Sequence, residues 1–83
     1  MHYVYLIKSE TFLNKIYFGY TTNIDERIQA HNLGESTHTA KYKPWKLHAY
    51  LAFDTKKQAL EFETYLKSHS GRAFAQKRLW INS

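Results

Sequence analysis

The start of the chain decides the fold, and it reads Tyr3-Val4-Tyr5-Leu6-Ile7-Lys8 and, after a turn region, Lys15-Ile16-Tyr17-Phe18-Gly19-Tyr20. Both stretches are rich in the β-branched and aromatic residues that favour strands. The first is apolar on both faces, which is typical of a central strand. Their short separation predicts an antiparallel hairpin. The glycine inside the second strand indicates a bulge or a close approach of the backbone to another group.

A helix is predicted directly after this hairpin. Asn23 is a good N-cap and Gly34 a good stop signal, while Ile24 and Ile28 define the buried stripe at helical spacing. The polar and basic residues 35–45 that follow are expected to form an exposed loop.

The second half of the chain predicts one more strand and two more helices. Residues 45–53 alternate apolar and polar side chains, as a half-buried strand does. Thr55 opens a helix, Ser70-Gly71 breaks it, and a short basic helix over residues 72–80 closes the domain, leaving 81–83 as a tail.

The order strand, strand, helix, strand, helix, helix predicts an α+β domain over residues 1–80, with a small three-stranded antiparallel sheet flanked by helices. The 83 residues are too few for two independent cores. The two Trp, seven Tyr and five Phe are expected to supply the core, because each of these side chains can bury a large apolar area.

Composition also limits the function. The absence of cysteine excludes disulfides, thiolate zinc sites and thiol nucleophiles, and the spacing of the five histidines matches no zinc pattern. No apolar run approaches the roughly 20 residues that span a bilayer, and no secretory signal is present. We therefore expect a cytoplasmic protein without membrane association. The formal net charge of +5 favours a polyanionic partner, of which nucleic acid is the simplest.

Helical geometry selects three polar residues on faces that should be buried. Arg27 and His31 lie one turn apart on the side of the first helix that faces the sheet, and Glu63 shares the buried side of the helix after the third strand, whereas Glu61 points to water. A desolvated charge is costly unless it is paired or lies at a functional opening. Two interpretations stay open at this point: Arg27 and Glu63 form an interhelical salt bridge with His31 as a hydrogen-bonded core residue, or they form a reactive site.

The tyrosines favour the reactive site. Tyr3 and Tyr5 share a strand face, and Tyr17 lies on the adjoining strand. Hydrolysis of a phosphodiester needs a group that activates water, a cation for the transition-state charge and a carboxylate for a divalent metal, which tyrosine or histidine, arginine and glutamate respectively supply.

In this arrangement the sequence resembles the GIY-YIG nuclease domain over nearly its whole length. The first half-motif stands here as Tyr3-Val4-Tyr5 and the second as Tyr17-Phe18-Gly19. The arginine of the family falls on Arg27, ten residues after Tyr17, and the Tyr or His that many members carry four residues later is His31. The metal-binding glutamate of the family maps to Glu63.

The end of the chain looks like that of the small stand-alone bacterial branch, with Ser70-Gly71-Arg72-Ala73-Phe74 followed by Lys77-Arg78-Leu79-Trp80. Two motif positions depart from the family name, because Tyr3 replaces its first glycine and Phe18 the middle residue of its second half. A lysine that some members carry three residues after the second-motif tyrosine is Tyr20 here.

The resemblance implies a GIY-YIG-type endonuclease that hydrolyses a phosphodiester with water and one divalent cation, Mg²⁺ or Mn²⁺. It implies that Tyr5, Tyr17, Arg27 and Glu63 converge in one solvent-open pocket. Glu63 would anchor the metal and Arg27 would hold the phosphate oxygens. Tyr17 is the first choice for activating the water with Tyr5 shaping the site, and His31 is its competitor because its ordinary pKa lies near 6.5.

The expected partner is nucleic acid, DNA before RNA, bound by a monomer or weak dimer, and recruitment by a protein partner is an alternative source of targeting. Six cations are the predicted contacts to the phosphate backbone: Lys41, Lys43, Lys46, Arg72, Lys77 and Arg78. Because no recognition helix or zinc finger is visible, we expect structure-selective or weakly sequence-specific cleavage. The alternative is a module of the same fold that binds nucleic acid and cleaves it poorly.

Overall fold

A computed structural model of the protein describes residues 1–79; Trp80, predicted to end the last helix, and the predicted tail, residues 81–83, lie outside the described residues. Three strands and four helices follow one another along the chain. They are β1 (His2–Ser9), β2 (Ile16–Thr21), α1 (Ile24–Asn32), α2 (Thr37–Ala40), β3 (Trp45–Phe53), α3 (Lys56–Lys67) and α4 (His69–Arg78).

The strands form one antiparallel sheet in the order β2-β1-β3, so that β1 is the central strand and β1 and β2 form the predicted hairpin. Tyr5 lies opposite Gly19 on β2 and opposite Tyr50 on β3, and the register between β1 and β3 shifts at Leu6/Ile7. The predicted α+β class with a three-stranded antiparallel sheet is confirmed.

Both faces of β1 are buried, each under its own helices. Val4 and Leu6 pack with Ala59 and Leu66 of α3 on one face. On the other face, the cluster that contains Tyr5 includes Ile28 of α1. Successive side chains of a strand point to opposite faces, so an apolar run without alternation fits a strand covered on both sides. No helix in residues 1–79 is long and apolar enough to cross a membrane.

The prediction of an exposed loop over residues 35–45 is wrong, because this segment contains the short helix α2 and two buried side chains. Thr39 is 2% exposed and Trp45 4% exposed. The indole Nε1 of Trp45 donates to the carbonyl oxygen of Thr39 at 2.9 Å, and His31 hydrogen-bonds the Thr39 hydroxyl at 2.7 Å. These long-range contacts order a segment whose own sequence has no apolar periodicity.

The predicted break at Ser70-Gly71 is also wrong, since α3 ends at Lys67, Ser68 separates the two helices and α4 begins at His69. The hydroxyl oxygen of Ser68 accepts the Gly71 N–H at 3.1 Å and caps α4. Gly71 lies inside α4, where an added Cβ would collide with the backbone carbonyl of Tyr65. The glycine therefore allows α4 to approach α3 closely, and the serine ends the helix.

The other helix boundaries follow their predicted caps. The Asn23 side chain accepts the Glu26 N–H at 3.1 Å, and the Thr55 hydroxyl accepts the Gln58 N–H at 3.2 Å. Gly34 adopts a φ of 80° just after α1, a conformation that glycine tolerates without strain.

Candidate active site

The phenol of Tyr5 is the centre of the site. Its side chain extends from the central strand over Gly19, and only 1% of its surface is exposed. A Cβ at position 19 would lie 2.5 Å from Cζ of Tyr5 and would overlap its hydroxyl. The close approach predicted from the glycine in β2 is therefore confirmed, and the group that approaches is the Tyr5 ring.

A chain of hydrogen bonds runs from Arg27 through Tyr5 and His31 to Thr39. Arg27 Nε donates to the Tyr5 hydroxyl at 3.2 Å, and this hydroxyl lies 2.8 Å from His31 Nε2. Nδ1 of the same imidazole lies 2.7 Å from Thr39 Oγ1. Because Arg27 can only donate, the Tyr5 oxygen accepts from it and directs its own proton to His31. The neutral imidazole then carries its proton on Nδ1 and donates it to Thr39.

Arg27 and His31 reach Tyr5 because they are four residues apart on α1, which places both side chains on one helix face. His31 is fully buried and Arg27 partly buried. The prediction that both residues face the sheet is confirmed.

Burial and charge shift the pKa values of these three groups. Burial raises the pKa of the Tyr5 phenol; the hydrogen bond and charge of Arg27 oppose this rise, and Tyr17 and Glu63 add to it. The hydrogen bond to Tyr5 raises the pKa of Arg27. Burial, assisted by the Arg27 charge, lowers the pKa of His31. At neutral pH this chain of hydrogen bonds therefore joins a protonated Tyr5 phenol, a neutral His31 imidazole and a charged Arg27 guanidinium.

Tyr17 packs against the same histidine from β2. The two rings are nearly perpendicular, with centroids 5.4 Å apart. Unlike Tyr5, Tyr17 is partly exposed and lines a cleft at the protein surface. Of the two tyrosines that contact His31, Tyr17 is therefore the one that a water molecule can reach.

Glu63 lies on α3, which packs on the opposite face of the sheet from α1. The prediction that Tyr5, Tyr17, Arg27 and Glu63 share one solvent-open pocket is wrong for Tyr5, which is 1% exposed. The Glu63 side chain is 18% exposed and forms an ion pair with Lys67 at 3.4 Å. No ion pair joins it to Arg27 in the part of the chain that the structure describes, so the interhelical salt bridge considered from the sequence is absent there. Burial is the main cause of the raised pKa of Tyr5, and the charge of Glu63 adds the smallest contribution to it, whereas Arg27 lowers it.

The residues fit a hard divalent cation that keeps most of its bound water molecules. Glu63 offers one partly exposed carboxylate, and Mg²⁺ is commonly bound by one or two carboxylates together with waters and substrate phosphates. Among residues 1–79, no group of three His, Cys, Asp or Glu side chains is placed to hold a metal by itself. The described residues therefore do not fit a metal ion that is bound by protein ligands alone. They fit a cation that Glu63 and a substrate phosphate bind together.

The six predicted backbone contacts are all exposed but fall into two sets. Lys41 and Lys43 follow α2 and Lys46 lies on β3; of these three, Lys41 lines the cleft that Tyr17 also lines. The set on α4 lies against α3, the helix that carries Glu63, and comprises Arg72, Lys77 and Arg78.

Sequence reasoning missed two residues near this site. Thr39 completes the hydrogen bonding of His31, and Lys15 lines the cleft beside Tyr17. Neither residue could be found from apolar periodicity, because Thr39 lies in a segment without such a pattern and Lys15 is a polar residue that precedes the apolar residues of β2.

Comparison with known proteins identifies the family. The family model of the GIY-YIG catalytic domain matches residues 1–78. A UPF0213 protein of Bacillus licheniformis is 37% identical over 70 residues, which are 83% of this chain and 70% of the relative. A UPF0213 protein of Staphylococcus saprophyticus is 36% identical over 83 residues, covering 99% of this chain and 94% of the relative. The solution NMR structure of a UPF0213 protein from Bacillus halodurans has a TM-score of 0.55 and 30% identity, and covers 96% of this chain and 87% of that one. The chain therefore belongs to the GIY-YIG family.

Proposed function

We propose that this protein is a metal-dependent endonuclease that hydrolyses phosphodiester bonds of nucleic acid, with DNA preferred to RNA. The observation that carries the proposal is the arginine anchored to a buried tyrosine beside a second, accessible tyrosine. A solvated surface arginine would not need such an anchor, whereas a group that must meet a phosphate in a fixed orientation does.

Arg27 holds the non-bridging phosphate oxygens. Its Nε–H is occupied by the Tyr5 hydroxyl, so its two terminal amino groups are left for the substrate. These groups form the fork that matches a phosphate bidentately, which the point charge of lysine does not do.

Tyr17 positions and activates the attacking water. His31, its competitor in this role, is fully buried and uses both ring nitrogens inside the protein, so it acts on the reaction by holding Tyr5. The water oxygen attacks phosphorus, the bond to the 3′ oxygen breaks, and the products are a 5′-phosphate and a 3′-hydroxyl. The attacking water transfers its proton to the Tyr17 oxygen, whose own proton passes to solvent, and the leaving 3′ oxygen takes a proton from solvent.

Glu63 is the residue that would hold the divalent cation, Mg²⁺ or Mn²⁺. When bound, the cation neutralises charge on the phosphate and on the leaving oxygen. Substitution Glu63→Gln keeps the size of the side chain and removes its charge. Glu61→Gln is the matched control, because Glu61 lies two residues away and is exposed.

The test is a cleavage panel of plasmid, flap, junction and RNA substrates with Mg²⁺ or Mn²⁺ and with EDTA. We expect metal-dependent cleavage by the wild type and by Glu61→Gln, and none by Glu63→Gln. Tyr17→Phe should bind substrate normally and lose cleavage, so full activity of this variant contradicts its assignment. Binding that persists in EDTA without any product would instead identify a nucleic-acid-binding module.

A further inference from the structure

A cleft of about 350 Å³ opens between the start of β2 and α2. Its volume is in the range of small-ligand sites. Tyr17 lines it from β2 and Lys15 from the position just before β2, while His38 lines it from α2, and Lys41 and Tyr42 from the segment that follows α2. The family motifs and the predicted site residues account for only two of these side chains, Tyr17 and Lys41.

Two ammonium groups converge on one ring in this cleft. Lys15 Nζ lies 5.1 Å and Lys41 Nζ 5.6 Å from the ring centroid of Tyr42. Neither lysine forms an ion pair within residues 1–79, where the recorded pair joins Lys67 and Glu63. Two positive charges that line one cleft without a counter-charge favour the binding of an anion in that cleft.

The walls of the cleft are fixed by hydrogen bonds to the rest of the fold. The Ser9 hydroxyl donates to the carbonyl oxygen of Tyr42 at 2.6 Å, and the Glu10 N–H donates to that of Pro44 at 2.9 Å. Trp45 Nε1 donates to the carbonyl oxygen of Thr39 at 2.9 Å. The segment that carries Lys41 and Tyr42 is thus held before any ligand arrives, which lowers the entropic cost of binding.

The cleft shares a wall with the candidate active site. Tyr17 and Thr39 line the cleft, and both contact His31, which in turn holds Tyr5. The cleft is therefore connected to Arg27 through His31 and Tyr5.

We propose that the cleft binds a phosphate adjacent to the scissile one on the same nucleic-acid strand, through Lys15 and Lys41. The Tyr42 ring holds the two ammonium groups in place by cation–π contact. This subsite rests on the proposed function, and it aligns the strand so that the next phosphate meets Arg27 and Tyr17. It adds Lys15 to the residues that contact the substrate and makes Tyr42 a positioning residue for both lysines.

The test measures binding of a fluorescein-labelled single-stranded oligonucleotide in EDTA over a series of NaCl concentrations. Each phosphate contact contributes about 0.7 to the slope of log K against log salt for single strands. The double variant Lys15→Gln/Lys41→Gln should therefore lower the slope by about 1.4. Lys57→Gln, an exposed lysine on α3, should leave the slope unchanged, and Lys15→Arg/Lys41→Arg should retain the wild-type slope.

Cleavage kinetics separate this proposal from the proposed function. We expect the double glutamine variant to raise KM with little change in kcat, because the subsite binds the strand before and during the reaction alike. If the wild type binds and cleaves while the double variant behaves like Lys57→Gln, the subsite is refuted and the nuclease assignment stands. If the wild type neither binds nor cleaves, both are refuted.

Discussion

Gly19→Ala is the sharpest perturbation of this fold, because it adds a single methyl group against the Tyr5 phenol. The new Cβ would lie 2.5 Å from Tyr5 Cζ and 2.9 Å from Cε2, well inside van der Waals contact. The ring has no free space to enter, since it is 1% exposed and hydrogen-bonded to Arg27 and His31. Gly19 is not in a positive-φ conformation, so the cost arises from this contact alone.

The expected loss of stability can be summed from two effects. Overpacking of a core costs about 1–3 kcal/mol, and a buried imidazole nitrogen that loses its partner costs about 1–3 kcal/mol more. We expect Gly19→Ala to destabilise the protein by about 3 kcal/mol, which for a domain of this size lowers Tm by roughly 12–24 °C. The measurement is thermal or urea unfolding followed by circular dichroism.

A double-mutant cycle gives the control. In a Tyr5→Leu background the ring is gone, so adding the methyl group at position 19 should cost under about 1 kcal/mol. An equal cost of Gly19→Ala in both backgrounds, or an unchanged Tm of the single variant, would refute the reasoning. Displacement of the phenol also frees Arg27, so the single variant should lose cleavage activity even where it remains folded.

Three further predictions concern the hydrogen-bond chain. Thr39→Val leaves Nδ1 of His31 unpaired and should cost about 1–3 kcal/mol in urea unfolding, whereas Thr39→Ser keeps the hydroxyl and should cost less; equal losses would contradict the role of the hydroxyl. Burial lowers the pKa of His31 below its ordinary 6.5, so the unfolded chain binds more protons between these values and stability should fall as pH drops below 6.5. His31→Gln should remove that part of the dependence and His38→Gln should not. Arg27→Lys loses the fork and the Nε bond to Tyr5, and kcat should fall about 10²–10³-fold with smaller effects on binding; activity near wild type would show that charge alone suffices.

Local sequence signals were reliable wherever a structure depends on neighbouring residues. Asn23 and Thr55 begin their helices as predicted because an N-cap bonds a backbone N–H three residues later. Arg27 and His31 share a face because helical geometry fixes residues four apart. The motif spacing identified the family, and the family model confirms it.

The remaining features depend on residues that are distant along the chain. Thr39 is buried because His31 and Trp45 bond to it, and a segment without apolar periodicity gives no sign of such partners. From the sequence, Gly71 resembles a helix breaker. In the structure it lies inside α4, and its lack of a side chain allows α4 to pack closely on the backbone of α3.

The three strands, the N-caps Asn23 and Thr55 and the family motifs could be predicted from the amino-acid sequence, because hydrophobic patterning and capping are short-range properties. Three contacts required the three-dimensional fold. The Tyr5 ring lies against Gly19, and His31 hydrogen-bonds both Tyr5 and Thr39. The ammonium groups of Lys15 and Lys41 both lie near the Tyr42 ring. These contacts follow from sheet register and from the return of α2 onto the sheet, which the whole chain sets together.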